Sequence, residues 1–174
     1  VPPPRRVGAP HGRDAFARHE AKRLSLPVRA GATAQEAVEG ADIIATATYA
    51  KEPVFDMAWV SAGAHVNLIG SNHPQRREGP KELIDAAEVI AVDSIEQARQ
   101  ESGDLLLAWS EEEWATPRLR EMGELLRDGY RRGAPRVTVF KSNGLGVEDV
   151  AAAGYVYERA MKSGRGQKIE WLYS

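Results

Sequence analysis

The chain has 174 residues, 43% hydrophobic and 28% charged, with a formal net charge of −2 and no cysteine. That length and apolar content suit one ordinary domain, or one domain with an attachment, with enough chain to bury a real core. The near balance of charge supplies no field to draw nucleic acid or anionic lipid, the lack of cysteine excludes a disulfide framework, a thiolate nucleophile and a cysteine-based metal site, and no apolar run approaches the roughly 20 residues that span a bilayer.

In chain order, Val1-Pro2-Pro3-Pro4-Arg5-Arg6 starts extended and solvated, since proline cannot donate a backbone hydrogen bond. No apolar stretch follows that basic start, so it is not a secretory signal, and a cytoplasmic location is expected. Residues 12–24 interleave Ala15, Phe16, Ala21 and Leu24 with Arg18, Glu20, Lys22 and Arg23 and read as a helix. Val28-Arg29-Ala30 reads as a short strand. Thr33-Ala34-Gln35-Glu36 has capping-box spacing and opens a helix that stops at Gly40, where a left-handed residue is inexpensive. Four short apolar runs follow, near Ile43–Ala47, Val66–Ile69, Val89–Val92 and Val137–Phe140, and the first is expected to be buried on both faces. Helices are expected between them, most clearly over Ser94–Glu101 and Pro117–Arg127, the latter with Thr116 as N-cap and Pro117 in its first turn. Residues 148–162 form a long helical pattern stopped near Gly164, and residues 169–173 are a final strand or tail. Short apolar strands alternating with helices predict an α/β fold with a mainly parallel sheet.

In an open parallel sheet, ligands bind outside the carboxyl ends of the strands. Three segments fall there. Thr46-Ala47-Thr48 reads either as an ordinary turn or as a place where small residues let a flat ring or a phosphate approach the backbone. Gly70-Ser71-Asn72-His73-Pro74 is rich in turn residues, and His73 is either simply exposed or an acid or base. Lys141-Ser142-Asn143-Gly144-Leu145-Gly146 places glycines between a strand and a helix, which allows close approach of an anion to a helix N-terminus. Each alone is weak, but one parallel fold would bring all three to one edge. Glu111-Glu112-Glu113 reads as a solvated face, Arg131-Arg132 as exposed loop, and the four tryptophans are too scattered for a stacking platform. The four histidines show no metal-ligand spacing, so no metal is expected.

Together, four stretches resemble the ornithine cyclodeaminase/mu-crystallin family: Gly40 to Thr48 with Lys51-Glu52-Pro53-Val54; Gly63 to Asn72; Asp93 to Ala98 with Gly103-Asp104-Leu105; and Val137 to Ser142 with Gly144 and Val147 to Ala153. Their order and spacing run like the family's from about Arg13 to Gly166. The resemblance implies a Rossmann-like domain that binds NAD or NADP, with a closing helix that crosses to a separate substrate and dimer domain. It implies hydride transfer at the carbon bearing nitrogen in a small amino or imino acid, as a cyclodeaminase, an amino-acid dehydrogenase or a ketimine reductase. The alternative it leaves is a non-catalytic small-molecule binder or an inactive truncated product. Carried over by position, Thr46, Ala47 and Thr48 would lie beside the cofactor, Asn67, Ile69 and Ser71 would line the nicotinamide side, and Lys141, Ser142 and Gly144 would close over it.

Two departures from the family pattern matter. Its first strand and Gly-rich turn, and the half that carries the Lys and Arg for a substrate carboxylate, have no counterpart before Pro10-His11-Gly12-Arg13. Residues 1–12 are therefore expected as an extended segment and residues 13–146 as a partial nucleotide-binding domain with a gap at mid-sheet. Residues 147–174 would be a helix and tail for a substrate or dimer domain absent from this chain. The expected partners are a homo-oligomer or the missing N-terminal half, with no nucleic acid and no membrane. The second departure is Asn72, the candidate catalytic position, where cyclodeaminases carry an Asp. A neutral amide is no useful base near neutral pH, which favours reductase or dehydrogenase chemistry. Without the turn that normally seats the pyrophosphate, the chain alone is expected to bind NAD(P)H weakly or not at all.

Overall fold

The computed structural model describes residues 12–133, 135–167 and 169, and the backbone of Arg5 and Arg6. The Pro-rich start and most of the C-terminal tail expected above lie outside the described residues. The chain forms two compact units, residues 1–143 and 144–174.

The first unit opens with a parallel two-stranded sheet, β1 (Arg5–Arg6) and β2 (Arg29–Ala30), joined through α1 (Arg13–Leu24). Helix α2 (Ala34–Val38) is capped by Thr33, whose hydroxyl accepts from the Glu36 N–H at 3.1 Å. The Glu36 carboxylate reaches back to the Ala32 N–H at 2.8 Å, one residue earlier than a capping box requires. Gly40 follows at φ +73, the left-handed stop the sequence suggests.

The main sheet has five strands: β3 (Ile43–Thr46), β4 (His65–Leu68), β5 (Val89–Val92), β6 (Leu119–Glu121) and β7 (Thr138–Lys141). All pairings are parallel, in the order β3-β4-β7-β5-β6. The four expected strands are there, the fourth one residue later than its apolar run. Among the described residues the remaining α-helices of this unit are α3 (Lys81–Ala86), α4 (Ile95–Glu101), α5 (Gly103–Leu106) and α6 (Met122–Arg127), with short 3-10 turns at Met57–Trp59 and Glu111–Ala115. Among the described residues no ladder joins β1 or β2 to β3, so β3 is a free edge.

The helix expected over Pro117–Arg127 is corrected. Residues 119–121 form β6 and only residues 122–127 are helical. Tertiary pairing overrides the local signal: the Ile90 N–H donates to the Arg118 carbonyl, and Leu119 is buried beside Ile90. The Arg118 guanidinium donates to the carbonyls of Ile84, Asp85 and Ala87 at 3.2, 2.9 and 2.8 Å, closing the end of α3.

Strand side chains alternate between two unequal faces. Ile44, Val66, Leu68, Val139, Ile90 and Val92 point to one face and are buried with Phe55, Leu83, Ile84, Leu105, Trp109 and Trp114 in a single core. On the opposite face β3 shows Ile43, 69% exposed, and Ala45, also exposed. The expectation that this strand is buried on both sides is corrected: its alternation is that of a half-covered strand.

The second unit is α7 (Gly146–Ser163), which begins two residues before the expected helix and ends at Gly164 with φ +63. Within its own unit none of its side chains is buried.

Candidate functional site

Because β3, β4 and β7 are adjacent and parallel, the loops after them leave from one edge. Backbone bonds tie those exits together: Ile69 N–H to the Thr46 carbonyl and Ser142 N–H to the Leu68 carbonyl, both at 3.1 Å. The structure thus brings Thr46, Ser71 and Ser142 to the same side of the sheet.

Beneath these loops lies a network of buried charge. The Glu78 carboxylate, wholly buried, accepts from the Thr46 hydroxyl at 2.9 Å, from the Gly70 N–H at 2.7 Å and from the Thr48 N–H. The N–H groups of Glu78 and Gly79 in turn donate to Asp104 Oδ1 at 2.7 and 2.9 Å. The other Asp104 oxygen lies 3.5 Å from the Lys141 ammonium, and both side chains are fully buried. Lys141 donates to the carbonyls of Leu68 at 3.4 Å, of Ser142 at 3.0 Å and of Ser71. Burial pushes the Asp104 carboxyl above its ordinary value, against the pull of its two backbone donors and of Lys141. Burial likewise pulls the Lys141 ammonium below its ordinary value, against the attraction of Asp104 and Glu78. Asp93, after β5, accepts from the Ser142 hydroxyl at 2.7 Å and from the Asn143 N–H at 2.9 Å. One connected set of charges therefore holds the loops after β3, β4, β5 and β7.

Gly70 is a tight point in that arrangement. A Cβ there would stand 2.1 Å from both the N and the O of Thr48. The glycine allows two loop backbones to touch.

The sequence-derived residues divide by where their side chains go. Thr46, Ser71 and Lys141 are buried and turned into the network; the Ser71 hydroxyl donates to the Arg76 carbonyl at 3.2 Å. Ala47, Thr48 and Asn72 are exposed, and Ile69 is half exposed. Asn67 is half-buried on the open face, its side-chain oxygen 3.3 Å from His65 Nε2, while His65 Nδ1 lies 2.8 Å from the Thr138 hydroxyl. His73 Nδ1 accepts from the Gln75 N–H at 3.2 Å. Gly144 begins the second unit and holds φ +77, which suits glycine. Sequence reasoning missed Glu78, which follows Gln75-Arg76-Arg77 and reads locally as a solvated charge; its partners at Thr46 and Thr48 lie 30 or more residues away. Asn143, part of the third candidate segment but given no role of its own there, has a side-chain amide nitrogen that is buried without a partner.

The exposed small and apolar positions Ala47, Thr48 and Ile69, with the unmet donor of Asn143, fit a flat ring that carries a hydrogen-bond acceptor. A pyrophosphate is fitted less well, since the sequence contains no G-x-G-x-x-G spacing. A concavity of about 410 Å³ lined by Val54, Phe55, Trp59 and Pro80 shares none of these residues. Among the described residues no group of three or more His, Asp or Glu could hold a metal ion, and no helix is long and apolar enough to cross a membrane.

Comparison with known proteins agrees with this parallel α/β fold. Over 160 residues the chain is 38% identical to a Delta(1)-pyrroline-2-carboxylate reductase of Bacillus cereus, covering 90% of this chain and 49% of that protein. It is 43% identical over 131 residues to the ketimine reductase mu-crystallin of Mus musculus, covering 75% and 40%. Among solved structures, the Thermococcus litoralis Delta(1)-pyrroline-2-carboxylate reductase in complex with NADH and L-proline matches at a TM-score of 0.83 and 31% identity, covering 92% and 50%. The chain thus spans about half the length of the curated relatives it matches. The family model for ornithine cyclodeaminase/mu-crystallin proteins matches residues 8–164, and the chain belongs to that family.

Proposed function

We propose that this chain is the nicotinamide-binding half of an enzyme that moves a hydride between NAD or NADP and the carbon bearing nitrogen in a small amino or imino acid. The observation that carries the reading is the single edge formed by the ends of β3, β4 and β7, locked from below by Glu78, Asp104 and Lys141. The reductase activities named for its relatives, and the NADH and L-proline in the Thermococcus structure, support the same chemistry. When bound, the nicotinamide gives or takes the hydride. Ala47, Thr48 and Ile69 offer the surface against which the ring lies, Asn67 stands on the nicotinamide side, and the Asn143 amide donates to an acceptor on the ring. Ser142 closes over it. The side chains of Thr46, Ser71 and Lys141 are buried, so contact from these positions is through the backbone. Asn72 at the candidate catalytic position is a neutral amide, and reduction or dehydrogenation suits it better than a step that requires a carboxylate base.

The strand order supports a partner. In the doubly wound order 3-2-1-4-5-6, β2-β1 takes the place of 3-2 and β3-β4 the place of 4-5. Position 1 then falls between β1 and β3, two edges that pair with no further strand among the described residues. A further stretch of polypeptide supplies that strand, its Gly-rich turn and the basic substrate domain. The decisive experiment mixes this chain with an N-terminal half taken from a family reductase and follows NADH oxidation with a cyclic imino acid. Turnover only in the mixture is the expected result. Cofactor binding without turnover would assign the non-catalytic alternative, and no binding in the mixture would defeat the reading. Tryptophan-to-NADH energy transfer on the chain alone should show dissociation no tighter than about 1 mM, because each missing charge-assisted phosphate bond is worth about 1.5–3 kcal/mol. Micromolar binding would show that another segment replaces the missing turn.

A further inference from the structure

Glu78 is a costly way to hold a turn. A buried carboxylate needs every lone pair directed at a donor, and a plain turn needs none. Here three donors converge on it from two strand ends: the Thr46 hydroxyl and the Gly70 N–H on one oxygen, the Thr48 N–H on the other. The two backbones it joins touch at Gly70, where no side chain fits between them; farther out the Arg76 guanidinium donates to the Tyr49 carbonyl at 2.7 Å and lies over the Tyr49 ring, while Glu78 alone takes the Thr48 and Gly70 N–H groups. The backbone N–H of Glu78 is anchored on Asp104, which faces Lys141, and Lys141 reaches the Ser71 and Ser142 carbonyls.

We propose that Glu78 is the positioning residue of this edge: it fixes the loops after β3 and β4 at one spacing and so sets how tightly the edge holds the nicotinamide end of the cofactor. The second clause rests on the function proposed above; the first does not. Glu78 touches no reacting atom and acts through the backbones of Thr48 and Gly70.

Glu78→Gln isolates the role. A carboxamide of the same reach offers one acceptor and one donor. If its NH₂ faces Thr48, two N–H donors confront each other. If its NH₂ faces Gly70, the Thr46 hydroxyl can turn and accept, but the Gly70 N–H is left unpaired. Either way one backbone amide loses its partner. Glu78→Asp keeps both acceptors one methylene shorter and should restore part of the effect.

The readout is amide hydrogen exchange by NMR on the full chain. In the wild type, the Thr48 and Gly70 amides, though in loops, should be protected to the level of Ile90 and Thr138 in the sheet. In Glu78→Gln, one of the two should exchange at least about tenfold faster while Ile90 and Thr138 keep their rates. A residue that only adds global stability would speed all four by one factor, and that outcome overturns the proposal. So does a wild type in which the two loop amides exchange freely, a measurement that stands even if the variant fails to fold. Millimolar reduced nicotinamide mononucleotide is the second probe. It should shift the Thr48 and Gly70 resonances in the wild type, about tenfold more weakly in Glu78→Gln, with Glu78→Asp between them. A wild type that ignores the probe overturns the cofactor reading and the link to affinity, while the exchange rates still judge the positioning role.

Discussion

The two faces of the five-stranded sheet differ sharply although the same strands build both. On one face every inward residue from β3 to β5 is buried, including the polar Thr46 and Lys141. On the other, Ile43 and Ala45 are exposed, and His65, Asn67 and Phe140 are half-buried. Toward β5 and β6 this second face does close, with Ala91 and Leu125 buried. A parallel sheet normally needs cover on both sides. The contrast locates where this chain meets that need and where it does not: the sealed face carries the core and the charges that shape the site, and the uncovered part lies beside the free edge of β3. Stability and site geometry should therefore respond to substitutions on the sealed face and hardly at all to those on the uncovered part of the other, at β3.

The largest effect is expected at Asp104. Asp104→Ala strands the Lys141 ammonium in the core and leaves the Glu78 and Gly79 N–H groups without their acceptor. Removing one partner of a buried pair destabilises by about 3–5 kcal/mol. Urea unfolding of the full chain measures it, and a loss below about 1 kcal/mol would mean that the network is not closed to water. Next comes Leu83→Ala, at the centre of the sealed face. Leu83 is fully buried against the strands, so the substitution should cost about 2–5 kcal/mol through lost transfer energy and a residual cavity.

Lys141 sharpens the comparison through pH. Its folded pKa lies below the ordinary 10.5. Between those two values the unfolded chain binds more protons than the folded one, so this group makes stability rise with pH across the window. Asp104 has the opposite sign in acid. Its folded pKa is raised, so its contribution is complete below the ordinary 3.8 and is lost as pH climbs through the folded value. Lys141→Met, an apolar side chain of similar length, should remove the alkaline rise relative to the wild type. An unchanged slope between the two proteins would show that Lys141 stays charged as readily as it does in water.

What the sequence made legible follows from the range of each interaction. The strands β3, β4, β5 and β7 are apolar runs, and the Thr33 cap is a three-residue signal that the structure closes at 3.1 Å; Ser94, read as the first residue of a helix, is instead the N-cap of α4, its hydroxyl accepting from the Gln97 N–H at 3.3 Å. Strand β6 was hidden because Thr116-Pro117 imitates a helix start, whereas its fate is decided by pairing with Ile90 and by the Arg118 bonds to α3. The edge itself was legible, since a parallel sheet places all strand ends together. Its foundation was not. Lys141 reads as a surface cation that closes over a ligand, and Glu78 as the tail of a charged loop. Only contacts across 26 to 73 residues reveal both as buried.

The smallest effect is expected at Ile43, and it tests the comparison most directly. Its side chain is 69% exposed on an edge strand, so truncation removes little buried apolar surface. Ile43→Ala should change the stability of the isolated chain by no more than about 0.5 kcal/mol, against several for Leu83→Ala, although both delete a branched aliphatic side chain. The same residue should behave differently once the N-terminal half of a relative is supplied. A strand paired along β3, with its following helix, would cover this face, and burying an Ile side chain is worth about 1.5–3 kcal/mol. Isothermal titration of that half into wild type and Ile43→Ala should then show affinity falling about tenfold or more in the variant. Equal affinities would place the partner elsewhere and leave the open face of β3 as ordinary surface. A large loss of stability in the isolated chain would mean that this face is already covered, and the contrast between the two faces would fall with it.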